Sequence, residues 1–235
     1  MNMILLFQED FIEQNKVVLN DRRHKHIIDI LRSSVGQKLS VGLLNNKIGT
    51  GVIVKQTKAE TTLEVILEKP PAKKLPLTLI LCLCRPPVLR RVIYTCTILG
   101  VEELHIINSS RVEKSFWQSH SLEKQELDKE MYLGLEQSID TVCPLINIEH
   151  SFNKFTDEKL ANIIKNKKAI IVDPAAKKTC PYNVSESAVI AIGPEGGFLV
   201  PEVKAFKKLG FKDRNLGSRI QRVETVIPYV VGRMF

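Results

Sequence analysis

The sequence predicts an α/β protein in which a parallel sheet with covering helices follows a small β-barrel carrying one helix. Three observations lead there. The first 68 residues are rich in short strands around a single helical segment, residues 68–77 hold three prolines and three lysines, and strand and helix patterns alternate beyond them. The later strands are apolar throughout rather than on one face, as in a parallel sheet buried on both sides.

The N-terminal part opens on a short apolar strand over 4–7, followed by a helix-like segment over 21–33. Strands are then expected at "KLSVGLL" (38–44), "GTGVIVKQ" (49–56) and "TTLEVILE" (61–68), with polar turns at Asn45-Asn46 and Lys58-Ala59. In the first of these, Leu39, Val41 and Leu43 alternate with Ser40 and Gly42, the period of a half-buried strand. A barrel over residues 1–70 is the simplest closure.

The proline- and lysine-rich stretch can be neither helix interior nor central strand, so 71–76 is read as a linker. The second domain, 77–235, begins with strand "LTLILCL" (77–83), a helix over 86–99 ending at Gly100, and strand "ELHIIN" (103–108). A long helix over about 121–140 carries Leu127, Met131, Leu135 and Ile139 at i+4 spacing. "KAIIVD" (168–173) and "AVIAI" (188–192) are continuous apolar runs separated by too little chain for a full helix. A short strand is expected to end at Leu216-Gly217, and helices to start near Pro201-Glu202 and near Arg222.

The 235 residues are 44% hydrophobic and 26% charged, a globular composition, and the net charge of +8 favours polyanionic partners such as nucleic acid. The five cysteines (Cys82, Cys84, Cys96, Cys143, Cys180) form no C-x-x-C pair, so neither a disulfide framework nor a metal site is expected. The apolar run at 3–7 is too short for a signal segment, and no stretch approaches a membrane span. The expected setting is the cytoplasm, with no membrane partner.

Ligands of open α/β sheets bind outside the carboxyl ends of the strands. Three such ends carry unusual residues: Val172-Asp173-Pro174; Ile192-Gly193-Pro194-Glu195-Gly196-Gly197; and "NLGSRIQRVET" (215–225), where Arg219 and Arg222 precede Glu224. In the second, side-chain-free glycines either let a ligand approach the backbone or simply make a turn before the next helix. There is no G-x-G-x-x-G and no Walker lysine, which disfavours phosphate cradling.

"IGPEGGF" followed some twenty residues later by "LGSRIQRVET" closely resembles the paired signature of the small-subunit (16S) ribosomal RNA uridine-N3 methyltransferases, in the trefoil-knotted SPOUT class. The resemblance extends over nearly the whole chain. "HIIDILRSSVGQKLSV" (26–41) is similar to a segment of the family's PUA-like RNA-binding domain, and "TILGVEELHIINSSRVEKS" (97–115) and "GLEQSIDTVCP" (134–144) to its central segments. It implies a C-terminal trefoil-knotted SPOUT methyltransferase domain behind a small PUA-like β-barrel, a homodimer, and small-subunit ribosomal RNA as partner. It also implies an S-adenosyl-L-methionine pocket from the three loops, here Val172, Asp173, Pro174, Ile192, Gly193, Pro194, Glu195, Gly196, Gly197, Leu216, Gly217, Ser218 and Ile220.

Methylating N3 of a uridine requires removing the proton between two carbonyls, so a cation near O2 or O4 would stabilise the anion. Arg222 is the first candidate and Arg219 the second, with Glu195 or Glu224 to take the proton or brace the site. RNA-docking candidates are Arg22, Arg23, His24, His26 and Arg32 from the first domain and Arg85, Arg90, Arg91 and Arg111 from the second. Trp117, the single tryptophan, either stacks a base or anchors its own loop. The chain departs from the family's pattern at "MILLF" (3–7) and at Ile139-Asp140, where arginines are common, and at Gln221, where leucine is commoner. Competing functions are a knotted methyltransferase for another RNA site and a catalytically silent RNA-binding protein, against which the bare glycine loop argues.

Overall fold

The computed structural model describes residues 1–235, which divide into two compact units: Met1–Lys73 with Tyr132–Cys143, and Lys74–Met131 with Pro144–Phe235. In the first unit, β1 (Ile4–Leu6), β2 (Phe11–Glu13) and β3 (Lys16–Leu19) precede α1 (Arg22–Lys25), which runs on as a π-helical turn over His26–Ile30. Strands β4 (Lys38–Leu43), β5 (Ile48–Gln56) and β6 (Thr61–Lys69) follow. The helix begins where the Asp21 carboxylate accepts the Arg23 N–H at 2.9 Å. It stops short of the expected residue 33, because Arg32 turns to a φ of +52°.

The strands form one six-stranded sheet in the order β1-β4-β5-β6-β3-β2, with β1 parallel to β4 and every other pair antiparallel. Ile4, Leu6, Val17, Leu19, Ile27, Val41, Ile53, Leu63 and Val65 make its core. The three central strands match the sequence expectation within one residue. The β2 and β3 segments carry too few residues for a period to show.

The second unit holds β7 (Leu75–Cys82), α2 (Pro86–Ile98), β8 (Val101–Ile107), the start of α3 (Lys124–Ser138) and β9 (Leu145–Glu149). Short helices α4 (Phe152–Lys154) and α5 (Leu160–Ile163) then lead to β10 (Lys168–Val172), β11 (Ala188–Ile192), α6 (Val200–Lys208), β12 (Lys212–Arg214) and α7 (Val223–Met234). All six strands are parallel, in the order β12-β10-β11-β7-β8-β9. Every residue of β11 is buried, as a strand covered on both faces requires. No helix occupies the 173–187 connection, in line with its length.

Helix α7 buries Val223, Val226, Ile227, Val230, Val231 and Met234, the i, i+3, i+4, i+7, i+8, i+11 stripe of an amphipathic helix. No helix is long and apolar enough to cross a membrane. Because all six strands run the same way, their carboxyl ends share one rim of the sheet, and that rim carries the unusual loops.

Candidate functional site

Strands β12, β10 and β11 end level with one another. Arg214 is paired with Val172, Val172 with Ile192, and Ile192 with Leu81 of β7. The loops beginning at these residues therefore leave the sheet side by side, at the roughly 4.8 Å spacing of neighbouring strands. The first and third are laced together by Asn215, which the sequence did not single out. Its side-chain amide donates to Ala176 O at 2.6 Å, its Oδ1 accepts the Gly217 N–H at 3.1 Å, and its own N–H reaches Lys178 O at 2.8 Å. Asp173 turns the first loop, donating its N–H to Arg214 O at 2.9 Å and accepting the Ala175 N–H on Oδ1 at 2.9 Å.

The second loop closes tightly on itself. A Cβ at Gly193 would sit 3.0 Å from the Phe198 ring, and one at Gly196 would sit 3.1 Å from Arg111 Cδ. Two of the glycines therefore answer to protein neighbours. Gly197 (φ +72°) and Gly217 (φ +112°) differ: both need left-handed backbone, and a side chain there would meet nothing within 4 Å. Arg111 Nη1 donates to Gly196 O, so this candidate RNA contact also shapes the loop. Glu195 is exposed and accepts the Arg85 N–H on Oε1 at 3.2 Å.

The charged candidates gather around the end of β7 and the starts of α2 and α7. Glu224 is paired with Arg91 at 3.3 Å. The Cys84 thiol, at the end of β7, is pushed up to about 12, chiefly by burial and further by the Glu195 and Glu224 carboxylates, against Arg91. Both carboxylates thus lie within electrostatic reach of one point. Arg222 caps the N-terminus of α7, and it and Arg219 are solvent-exposed, as are Gly217, Ser218 and Ile220, the last at 86%. Between the arginines, Gln221 Oε1 is shielded from solvent and accepts no hydrogen bond. Arg90 is paired with Glu126 at 3.3 Å.

In the first unit the basic candidates for RNA docking are not all at the surface. Arg23 is 4% exposed; its guanidinium holds Asp10 through bonds of 2.6 and 2.7 Å, Leu5 O at 2.7 Å, and Asp21. An RNA phosphate cannot reach it, which corrects its place among the docking candidates: the buried Asp10 carboxylate requires a partner there. His24 is likewise buried, on Thr61 Oγ1 at 2.8 Å. Arg22 is half-exposed and clasps Glu136 at 2.8 and 3.0 Å. His26 is partly buried, with Nε2 sealed and unpaired, and burial above all lowers its pKa. Arg32 is exposed on its left-handed turn.

Glu202, at the expected start of a helix, has a further role. It is 5% exposed and accepts Ser110 N–H on Oε1 and Leu199 N–H on Oε2, each at 2.7 Å, tying the loop after β8 to the first turn of α6. Trp117 is half-buried and anchored, its indole N–H donating to Asn108 Oδ1 at 3.1 Å.

The sequence profile of the RNA methyltransferase domain family matches residues 71–234. The protein of Treponema pallidum named ribosomal RNA small subunit methyltransferase E is 28% identical over 240 residues, spanning 96% of this chain and 87% of its own length. The Borreliella burgdorferi protein named ribosomal RNA small subunit methyltransferase E 1 is 24% identical over 228 residues, spanning 96% and 93%. In fold the chain is similar to the crystal structure of a ribosomal RNA small subunit methyltransferase E from Neisseria gonorrhoeae bound to S-adenosyl methionine. The TM-score is 0.74 at 20% identity, over 98% of this chain and 96% of that one. With its level-ended parallel strands and a match spanning residues 71–234, the chain belongs to the RNA methyltransferase domain family.

Proposed function

We propose that the protein transfers a methyl group from S-adenosyl-L-methionine to N3 of a uridine in small-subunit ribosomal RNA. The observation that carries this is the trio of level loops, whose left-handed Gly197 and Gly217 leave open backbone where any other residue would place a Cβ. The residues present suit the cofactor: the shielded, unpaired Gln221 Oε1 is an acceptor waiting for a donor, and the exposed Ile220 side chain offers apolar cover. When bound, S-adenosyl-L-methionine supplies an electrophilic methyl group.

The remaining work falls to the chain. Arg222, at the mouth of the third loop, faces the uracil carbonyl oxygens and stabilises the negative charge that forms as N3 gives up its proton; Arg219 supports it. Glu195, exposed beside the second loop, is placed to accept that proton directly or through water, while Glu224 is occupied by Arg91 and braces the site. Backbone groups of 172–174, 192–197 and 216–220 orient the donor and exclude water.

On the same reading, the first unit, Met1–Lys73 completed by Tyr132–Cys143, is a PUA-like RNA-binding barrel and the second is the knotted domain; the linker expected at 71–76 is shorter, because β7 already begins at Leu75. Arg22, His26, Arg32, Arg85, Arg90, Arg91 and Arg111 position the RNA in the cytoplasm. The protein acts as a homodimer through the outer face of α7, where Thr225, Pro228, Tyr229 and Gly232 are exposed in a row.

Calorimetry with S-adenosyl-L-methionine, then mass mapping of ribosomal RNA from a deletion strain before and after treatment with the protein, tests this. Cofactor binding and a restored 3-methyluridine are expected. Absent cofactor binding overturns the enzyme reading, and methylation of another base or RNA overturns the substrate. Arg222→Ala should lower turnover by about 10²-fold with little change in cofactor affinity; equal losses would assign the arginine to the pocket instead.

A further inference from the structure

We infer that a second cavity on the same sheet rim, beyond the ends of β8 and β9, is a subsite for a neighbouring unpaired base of the RNA strand rather than for the nucleotide that is methylated. The inference rests on the RNA methyltransferase reading and assigns it a specificity determinant.

The cavity measures about 440 Å³, within the size range of small-ligand sites. Its wall comes from the loops that follow β8 (Asn108, Ser109, Ser110) and β9 (His150, Asn153) and from α6. No lysine or arginine lines it, and its one carboxylate, Glu202, has both oxygens engaged by Ser110 and Leu199. What remains is hydroxyls, amides and an imidazole beside the apolar Phe152, Pro201 and Ala205, a lining for an uncharged hydrogen-bonding ring and not for a phosphate.

One of those groups is unmet. Ser109 is 5% exposed, and its Oγ has no partner beyond the weak Cys82 thiol. A buried hydroxyl left without an oxygen or nitrogen partner marks a place where a ligand completes the pairing. Beside it, the His150 ring lies 4.4 Å from the Trp117 ring, centroid to centroid. The two rings are tilted by 46° and together offer an aromatic surface; unpaired bases are held by stacking on such side chains together with hydrogen bonds to their edges.

Position excludes the acceptor base. The rim at β8 and β9 is two to three strands from the end of β11, roughly 10–15 Å at the spacing of neighbouring strands. Methyl transfer needs the reacting atoms about 3–3.5 Å apart. A base in this cavity is therefore a neighbour in sequence. Recognition there is also wired to the cofactor loop: the segment that supplies Ser109 continues to Arg111, which donates to Gly196 O.

Because Trp117 is the chain's one tryptophan and touches two residues of the cavity wall, its emission reports directly on occupancy. The full-length protein is titrated with hexauridylate and hexaadenylate, without cofactor. A saturable change in emission with at least one of them is expected, and Ala205→Phe, which fills the cavity from α6, should weaken it by roughly 5- to 150-fold, the worth of one stacked base. Asn153→Ala, at an exposed position that does not endanger folding, should weaken it in the same direction. With ribosomal RNA, both variants should raise KM and leave kcat and cofactor affinity within about twofold, an expectation in line with loss of uniform binding. The inference is overturned if neither oligonucleotide alters the emission, if S-adenosyl-L-methionine alone does so, or if both variants keep wild-type KM. Failure of the wild type to bind S-adenosyl-L-methionine, with the oligonucleotide response intact, would instead sink the methyltransferase reading and support the base subsite.

Discussion

Arg23 and Gln221 are the residues whose surroundings say most about their roles. Arg23 sits in the interior of the first unit with Asp10 at 2.6 Å, and removing one member of such a pair strands the other. Arg23→Ala should cost about 3–5 kcal/mol, read as a drop in the urea midpoint, and any loss of RNA binding should follow the loss of folded protein. A variant of unchanged stability with weakened RNA affinity would restore Arg23 to the docking surface. Gln221 keeps a shielded acceptor unpaired. Gln221→Leu should remove that unmet group and raise the melting temperature of the cofactor-free protein, by about 2–4 °C for each kcal/mol recovered. The same change should shrink the additional shift caused by S-adenosyl-L-methionine, and an undiminished shift would show that the amide does not meet the cofactor. Neither environment was legible in the sequence. An arginine in a basic run resembles a solvated one until the fold brings Asp10, thirteen residues away, against it.

Among the elements, legibility followed the length and apolarity of each run more than its place in the sheet: edge strand β1 was expected from its apolar run, and β3, paired on both sides, was not. Central β11 is covered on both faces, so "AVIAI" announced itself as an unbroken apolar run with the observed boundaries. The edge strands β9, β12 and β2 are paired on one side only, and their residues ("LINIE", "KDR", "FIE") carry no unbroken apolar run; β9 and β2 were not expected, and the short strand expected to end at Leu216-Gly217 ends at Arg214, where its pairing with β10 stops. The candidate site followed the same logic. Its three loops could be found because an Asp-Pro pair, a glycine cluster and a glycine with arginines stand after strands, whereas Asn215 and Glu202 look like ordinary polar residues until the hydrogen bonds are drawn. Helix α7 offers a test at this scale. Its inner stripe is committed to the core, and its outer face presents Tyr229 at 44% exposure beside Pro228. Tyr229→Glu should leave the fold intact and shift sedimentation from dimer to monomer; a wild-type chain that sediments as a monomer would remove the proposed interface.

In the molecule as a whole, the net charge of +8 is not spread evenly, and its placement was beyond the reach of composition. Arg23 and Arg22 are neutralised in internal pairs with Asp10 and Glu136, whereas positive charge gathers in a cleft of about 680 Å³ beside β10 and β12, lined by Lys167, Lys168, Lys212 and Arg214 with Glu186. The partition into two units is equally non-local. The first includes Tyr132–Cys143, whose Glu136 carbonyl accepts the backbone N–H groups of Asn2 and Met3 and whose Leu135 packs against Met3 and Leu5. A fragment ending at residue 73 should therefore show poor amide protection in β1 relative to the full chain, and equal protection would show that the downstream segment is dispensable.

That borrowed segment also sets a schedule. A ribosome making this chain completes the strands of the first unit well before it reaches residue 143, the last that the unit includes. At about 5–20 residues per second, the intervening 70 residues take roughly 4–14 s. For that interval the newborn β1 edge, with Met3 and Leu5 uncovered, waits for its partner, and this is when a chaperone or an unwanted strand pairing has its opportunity.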